Sequence, residues 1–207
     1  MAFIEMSPLP PLVLASGSPR RRALLEELGW SFAVVPTEVD ETPEAGESPE
    51  AVARRLAEAK AAAGARAFPG ALVLGADTLV ALGDRFLGKP RHREEAEWML
   101  SFLQGREHRV VTGVALEWGP RKSSAVEVTR VRFRSLDPGA VRAYVATGEG
   151  DDKAGAYAIQ GRGALLVEGI DGCYFNVVGL PLGRVSVLLE GWGVSLERQW
   201  TPGGEGA

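Results

Sequence analysis

Three times in this chain a serine or aspartate stands directly before a proline at the head of a helix-patterned stretch: Ser18-Pro19, Ser48-Pro49 and Asp137-Pro138. A short hydroxyl or carboxylate side chain suits the N-cap. Proline suits the first helical position, where its missing N–H has no partner to lose. These marks predict helices over 19–28, 48–63 and from 138 to near Gly148. Further helical patterns cover 93–104, ended by Gly105, and 182–190, the last helix. Short apolar runs alternate with them. Segments 12–15 and 71–76 read as buried strands, and 34–41 as a strand or extended segment before an acidic loop. Segments 78–82 and 85–87 read as a hairpin, because Gly83-Asp84 suits a two-residue turn. Long strands follow at 108–118 and 124–133, then shorter ones at 164–168 and 173–178. In 124–133, Val126 and Val128 share one parity while Val131 and Phe133 share the other, which predicts a bulge or bend.

Helices and strands are mixed, but βαβ units do not repeat regularly. The expected class is α/β, bordering on α+β, with a mixed twisted sheet flanked by helices. The 207 residues suit one domain over 1–200, with a Gly-rich flexible tail at 201–207. A net charge of -4 excludes a broadly basic nucleic-acid binder, so nucleic acid is not an expected partner. The single cysteine, Cys173, rules out an intrachain disulfide and fits a cytoplasmic setting. The longest uncharged stretch, 6–19, is broken by Pro8, Pro10 and Pro11, so neither a membrane span nor a secretory signal is expected. His92, His108 and Cys173 read as structural, and Trp98 and Trp118 as packing residues.

Four stretches can carry chemistry. In Leu14-Ala15-Ser16-Gly17-Ser18-Pro19-Arg20-Arg21-Arg22 a strand feeds a Gly/Ser turn and a helix N-terminus. Arginines in a first turn oppose the helix dipole, at a cost of roughly 0.3–1 kcal/mol each, and a phosphate in front of the turn reverses the sign. The plain alternative is a capped surface helix with solvated arginines. Asp77, at the end of an apolar strand, is placed for a cleft mouth, where it can hold a magnesium ion or take a proton from water. Its alternative is a turn residue bonded to its own backbone. Glu38, Asp40 and Glu41 form an acidic loop that either supplies a metal ligand or is simply solvated. Lys60 falls on the stripe of Val52 and Leu56, where a lysine snorkels outward or reaches into a site. Lys89 is stiffened by Pro90 and suits a polyphosphate. In 151–161, Tyr157 can stack on a base and Gln160 can pair with a base edge, or the stretch is an ordered surface loop.

Taken together, these stretches resemble the Maf family of nucleotide pyrophosphatases, also called septum-formation-inhibitor-like proteins. The resemblance rests on Leu14-Ala15-Ser16-Gly17-Ser18-Pro19-Arg20-Arg21, Leu74-Gly75-Ala76-Asp77-Thr78, Gly88-Lys89-Pro90, Asp152-Lys153-Ala154-Gly155-Ala156-Tyr157 with Ile159-Gln160-Gly161, and Asn176-Val177-Val178-Gly179-Leu180-Pro181. It implies a sheet with two lobes about a cleft, often in a homodimer. The implied reaction is hydrolysis of a nucleoside triphosphate between the α- and β-phosphates with Mg²⁺ or Mn²⁺. By the same resemblance Asp77 is the catalytic carboxylate and, with Glu41, a metal ligand. Ser16, Arg20, Arg21, Lys60 and Lys89 hold the substrate. The loop with Ala154-Gly155-Ala156-Tyr157 and Gln160 looks like that of the branch that prefers dTTP and UTP, whose sister branch prefers 7-methyl-GTP, and by the same resemblance Arg20, Thr78 and Gln160 mark the specificity positions. The competing reading is a catalytically idle nucleotide- or nucleic-acid-binding regulator of cell division, acting through a local basic patch at 20–22.

Overall fold

A computed structural model describes residues 10–83 and 85–201. The proposed turn residue Asp84 and most of the expected tail lie outside the described residues. Among these, seven strands form one mixed, open sheet. In chain order they are β1 (Leu12–Ala15), β2 (Phe32–Val34), β3 (Leu72–Leu82), β4 (Arg85–Leu87), β5 (Glu107–Trp118), β6 (Arg121–Phe133) and β7 (Val167–Asp171). The helices are α1 (Pro19–Glu27), α2 (Pro49–Ala67), α3 (Arg93–Leu103), α4 (Pro138–Val145), α5 (Tyr174–Val178), α6 (Leu182–Glu190) and α7 (Leu196–Trp200). The sheet order is β2-β1-β3-β5-β6-β7, and β4 also pairs with β3. The α/β expectation holds. No described helix is long and apolar enough to cross a membrane.

The three proline-headed helices form as the sequence predicts, but their caps differ. Ser48 Oγ accepts from the Ala51 N–H at 3.2 Å and Asp137 Oδ1 from the Ala140 N–H at 2.9 Å. Ser18 holds the N-cap position of α1 without a side-chain cap bond. His92 caps α3, accepting from the Glu95 N–H at 3.3 Å.

Strand β3 organises the molecule. Alternate side chains face opposite layers. Val73 packs with Ala57 and Ala61 of α2. Leu72, Leu74 and Ala76 pack with Leu24 and Leu25 of α1 and Val185 of α6. Helix α2 lies directly on backbone. A Cβ on Gly75 would stand 2.3 Å from the Ala57 carbonyl oxygen, and one on Gly113 2.1 Å from that of Ala53. On one edge, β3 pairs with β1 only as far as Gly75 and with β4 only from Val80. Residues 76–79 therefore face a gap between the two short partners.

Several expectations need correction. Asp77 does not end a strand, because β3 runs on through it to Leu82. Asp77 lies two residues past the end of β1's pairing, so the carboxyl-end position is right for β1 and wrong for β3. The parity change in β6 is not a bulge against β5, whose register is continuous. Both faces of β6 are covered: Val131 and Phe133 join the core with α3 and α4, while Ser124 bonds Glu58 of α2. The one irregularity falls between Arg132 and Phe133, in the pairing with β7. The strand expected at 164–168 begins at Val167, after a 3₁₀ turn over Gly161–Leu166. Residues 173–178 form no strand but the short helix α5, despite their apolar content. Strand β2 stops at Val34, and the segment beyond it is extended without regular pairing apart from bonds such as Val35 N–H to the Leu14 carbonyl. Helix α6 is not last. Helix α7 follows and is held by Trp30 Nε1–H donating to the Gln199 carbonyl at 2.8 Å. Trp98 is 45% exposed, stacked on Phe102, so it covers the core edge rather than filling it.

Candidate active site

The gap beside residues 76–79 opens into a cleft of about 570 Å³. Three stretches enter it because of where strands end. β1 delivers residues 16–21, β4 delivers Gly88 and Lys89, and the 152–160 loop closes one side. The Gly155 N–H donates to the Gly88 carbonyl at 3.0 Å, tying two of these stretches together. All the sequence-predicted site residues, Ser16, Arg20, Arg21, Glu41, Lys60, Asp77, Thr78, Lys89 and Gln160, line this one cleft.

On the α2 face, Asp77 is 7% exposed and Lys60 8% exposed. Lys60 Nζ donates to Asp77 Oδ1 at 2.5 Å and to Glu41 Oε1 at 2.7 Å. Lys60 thus reaches into the site and does not snorkel. A buried carboxylate needs such a partner, since an unpaired buried charge costs several kcal/mol. Burial opposes ionisation of Glu41. The Lys60 ammonium bonded to it, helped by Lys89 and Arg21, outweighs that and holds its carboxyl below the ordinary range. The Glu41 loop is pinned from α2: Arg55 donates to the Thr42 carbonyl at 3.1 Å and to Glu47 at 2.8 and 2.7 Å.

On the opposite face, Arg21 is 8% exposed. Its Nε donates to the Gly179 carbonyl at 2.8 Å, one terminal nitrogen to Ser16 Oγ at 3.0 Å and the Ala76 carbonyl at 2.9 Å, and the other to Thr78 Oγ1 at 3.0 Å. Four of its five N–H groups are engaged by protein acceptors. Arg21 therefore braces the gap, and at most one N–H is left for a ligand. Arg20 is different: its buried Nε has no hydrogen-bond partner among the described residues. Burial lowers the Arg20 pKa, and Asp152 and Tyr144 act against that. Lys89 and Gln160 are exposed at the rim.

Tyr157 cannot stack on a base as expected, because it is buried with its ring edge-on to His108 and Phe133. Its hydroxyl meets His108 Nε2 at 2.8 Å. The apolar surroundings of this pair push the His108 pKa down to about 4. Sequence reasoning missed two parts of the site. One is the Arg55 tether of the acidic loop. The other is the buried polar chain behind Thr78, formed by Thr112, Asn176 and Thr129. Asn176 opens the Asn176–Pro181 motif, but nothing in the sequence marked its role.

A divalent cation can be tested against these donors. No group of three or more His, Cys, Asp or Glu side chains among the described residues is arranged to hold a metal ion. Glu41 and Asp77 nevertheless converge on one positive charge, the Lys60 ammonium. Two carboxylates completed by phosphate oxygens and water are a usual magnesium set. The donor chemistry fits.

A family profile described as Maf-like protein matches residues 11–192. The chain belongs to the Maf family. Among similar proteins, the dTTP/UTP pyrophosphatase of Pelotomaculum thermopropionicum is 52% identical over 187 residues, covering 89% of this chain and 98% of that one. Those of Myxococcus xanthus and Moorella thermoacetica are each 55% identical, again over 89% of this chain and over 94% and 96% of theirs. The Maf match ends before α7, so Gln199, which accepts from Trp30, lies beyond the matched region.

Proposed function

We propose that this Maf protein hydrolyses dTTP and UTP to the monophosphate and pyrophosphate. The observation that carries this reading is the two-sided cleft. The carboxylates of Asp77 and Glu41 gather around Lys60 on one side of β3, and on the other stands the Thr78 hydroxyl beside an Arg21 whose N–H groups are nearly all taken by protein acceptors, with Gln160 lining the same cleft. A triphosphate and a pyrimidine need these two environments at the two ends of one molecule. Relatives of about half identity that carry the name dTTP/UTP pyrophosphatase support the same substrate pair.

In this reading Arg20, Lys60 and Lys89 offset the charge of the polyphosphate and of the departing pyrophosphate. Arg21 holds the floor of the cleft by bracing Ala76, Thr78 and Gly179. Asp77 accepts the proton of the attacking water at its carboxylate and orients that water toward the α-phosphorus. Glu41 and Asp77 would hold Mg²⁺ or Mn²⁺, which when bound supplies Lewis-acid stabilisation and a more acidic water. The test is incubation of the purified protein with dTTP, UTP, CTP and 7-methyl-GTP, with Mg²⁺ and with chelator. Metal-dependent release of pyrophosphate from dTTP and UTP ahead of the others is the expected result. No pyrophosphate from any triphosphate would overturn the proposal.

A further inference from the structure

The hydroxyl of Thr78 borders the base side of the cleft, and its hydrogen bonds fix which way it can act. Thr112 lies behind it on β5, 0% exposed and outside the cleft lining. The two hydroxyl oxygens are 3.0 Å apart. Thr112 Oγ1 donates to the Asn176 carbonyl at 3.3 Å. Asn176 is itself held, its Nδ2 donating to the Val110 carbonyl and to Thr129 Oγ1, each at 2.9 Å.

A threonine hydroxyl has one proton. With the Thr112 proton on Asn176, Thr112 faces Thr78 as an acceptor, and Thr78 must donate to it. Thr78 Oγ1 also accepts from Arg21 at 3.0 Å, which leaves one lone pair. If Thr112 instead donated to Thr78, Arg21 and Thr112 would take both Thr78 lone pairs and the cleft would meet no acceptor there, so only the first arrangement serves a ligand N–H. The Gly179 carbonyl, at 3.4 Å, is too distant to hold the Thr78 proton by itself, so it is Thr112 that keeps that proton from the cleft.

Room for a ligand atom exists beside this hydroxyl. Gly179 has a φ of +128°, and a Cβ built there would stand 3.8 Å from both Thr78 Oγ1 and Arg21 Nε, with no other atom nearer. The missing side chain leaves a place at contact distance from the oxygen.

We propose that Thr112, from outside the cleft, makes Thr78 a hydrogen-bond acceptor toward the base, so that the site favours pyrimidines carrying a ring N–H over those carrying a ring lone pair at that position. The inference rests on the proposed function and deepens it. Uracil and thymine carry N3–H, whereas cytosine carries a lone pair at N3. Two lone pairs facing each other leave both acceptors unpaired, and sites built to receive a hydrogen bond reject ligands that cannot make it. Thr112 is a positioning residue in this scheme, since it touches no ligand.

The test reads binding, so that absence of turnover would bear on the proposed function alone. Calorimetry compares the non-hydrolysable α,β-methylene analogues of dTTP and dCTP on the wild type, Thr112→Val and Thr112→Ser. The wild type is expected to prefer the dTTP analogue by at least about tenfold, Thr112→Val to compress that ratio at least about fivefold, and Thr112→Ser to stay within about twofold of wild type. Should Thr112→Val fail to fold, Thr112→Cys, with its weaker donor, must lie between the two. A ratio unmoved by loss of the hydroxyl overturns the proposal. So does an equal weakening of both analogues, which a merely structural role would give.

Discussion

The ammonium of Lys60 lies 2.5 Å from the Asp77 carboxylate, joining the middle of helix α2 to the middle of strand β3. Both side chains are about nine-tenths buried, so each is the other's main substitute for water. Replacing Lys60 by Met should destabilise the protein by about 3–5 kcal/mol, because it leaves a buried carboxylate without its hydrogen-bonded cation. Asp77→Asn retains an oxygen acceptor for Lys60. It should fold but lose turnover by at least about a hundredfold. Urea denaturation and pyrophosphate release check the pair. A Lys60→Met protein of wild-type stability would contradict the ion-pair account.

Glu41 is exposed enough to be changed without harm to the core. Glu41→Gln should cost at most about 1 kcal/mol, its ion pair with Lys60 being half-exposed, but should raise the Mg²⁺ concentration for half-maximal rate by at least about tenfold if Glu41 holds the metal. A metal titration of pyrophosphate release measures this. An unchanged metal requirement would overturn the assignment of Glu41 to the metal.

Arg21 presents a planar fork to four acceptors, a pattern that a lysine cannot reproduce. Arg21→Lys should cost about 2–4 kcal/mol, as bonds to Gly179, Ala76 and Thr78 are lost together. If urea unfolding shows no loss while nucleotide binding fails, Arg21 serves the ligand and not the frame.

His108 predicts the sign of the acid response. Its folded pKa, about 4, lies below the ordinary value of 6.5. Between those values the unfolded chain binds a proton that the native state refuses. Stability therefore falls as pH drops from 6.5 toward 4, by up to about 3 kcal/mol. Lowered carboxylates such as Glu41 add a loss in the same direction, but in the acidic range below about pH 5. Denaturation midpoints between about pH 5 and 6.5 isolate the histidine, and His108→Gln should flatten them. An unchanged slope in that variant would assign the response to other groups.

The close seat of α2 on β3 gives a mechanical prediction. In Gly75→Ala the new methyl would meet the Ala57 carbonyl at 2.3 Å and the Ala61 nitrogen at 2.6 Å. The helix must move away, at about 1–3 kcal/mol or more. Lys60 moves with it, so pyrophosphate release should fall by more than the loss of folded protein accounts for. Activity that simply tracks the folded fraction would show that the helix yields without disturbing its lysine.

The sequence made the helix starts readable because proline and its capping neighbour act locally. The nine residues singled out from the sequence also come together, lining one cleft. What it concealed depends on distant neighbours. The strand through Asp77 looked finished because a charged residue interrupts its apolar run, whereas pairing with β5 carries it on, and alternation within β6 looked irregular because both sheet faces are covered. Tyr157 looked available to a base because the aromatic partners that bury it, His108 and Phe133, come from other strands. Residues 173–178 have strand-like composition, yet they turn into a helix where the Thr129 hydroxyl holds the Cys173 backbone.

The unpaired edge at residues 76–79 has a colloidal consequence. A central strand with exposed amides and carbonyls is a template on which another polypeptide can add itself. Here the Arg21 guanidinium occupies the Ala76 carbonyl, and β1 and β4 bracket so short a run that a foreign strand finds little to register against. The opening thus offers an incoming strand few free backbone groups to pair with.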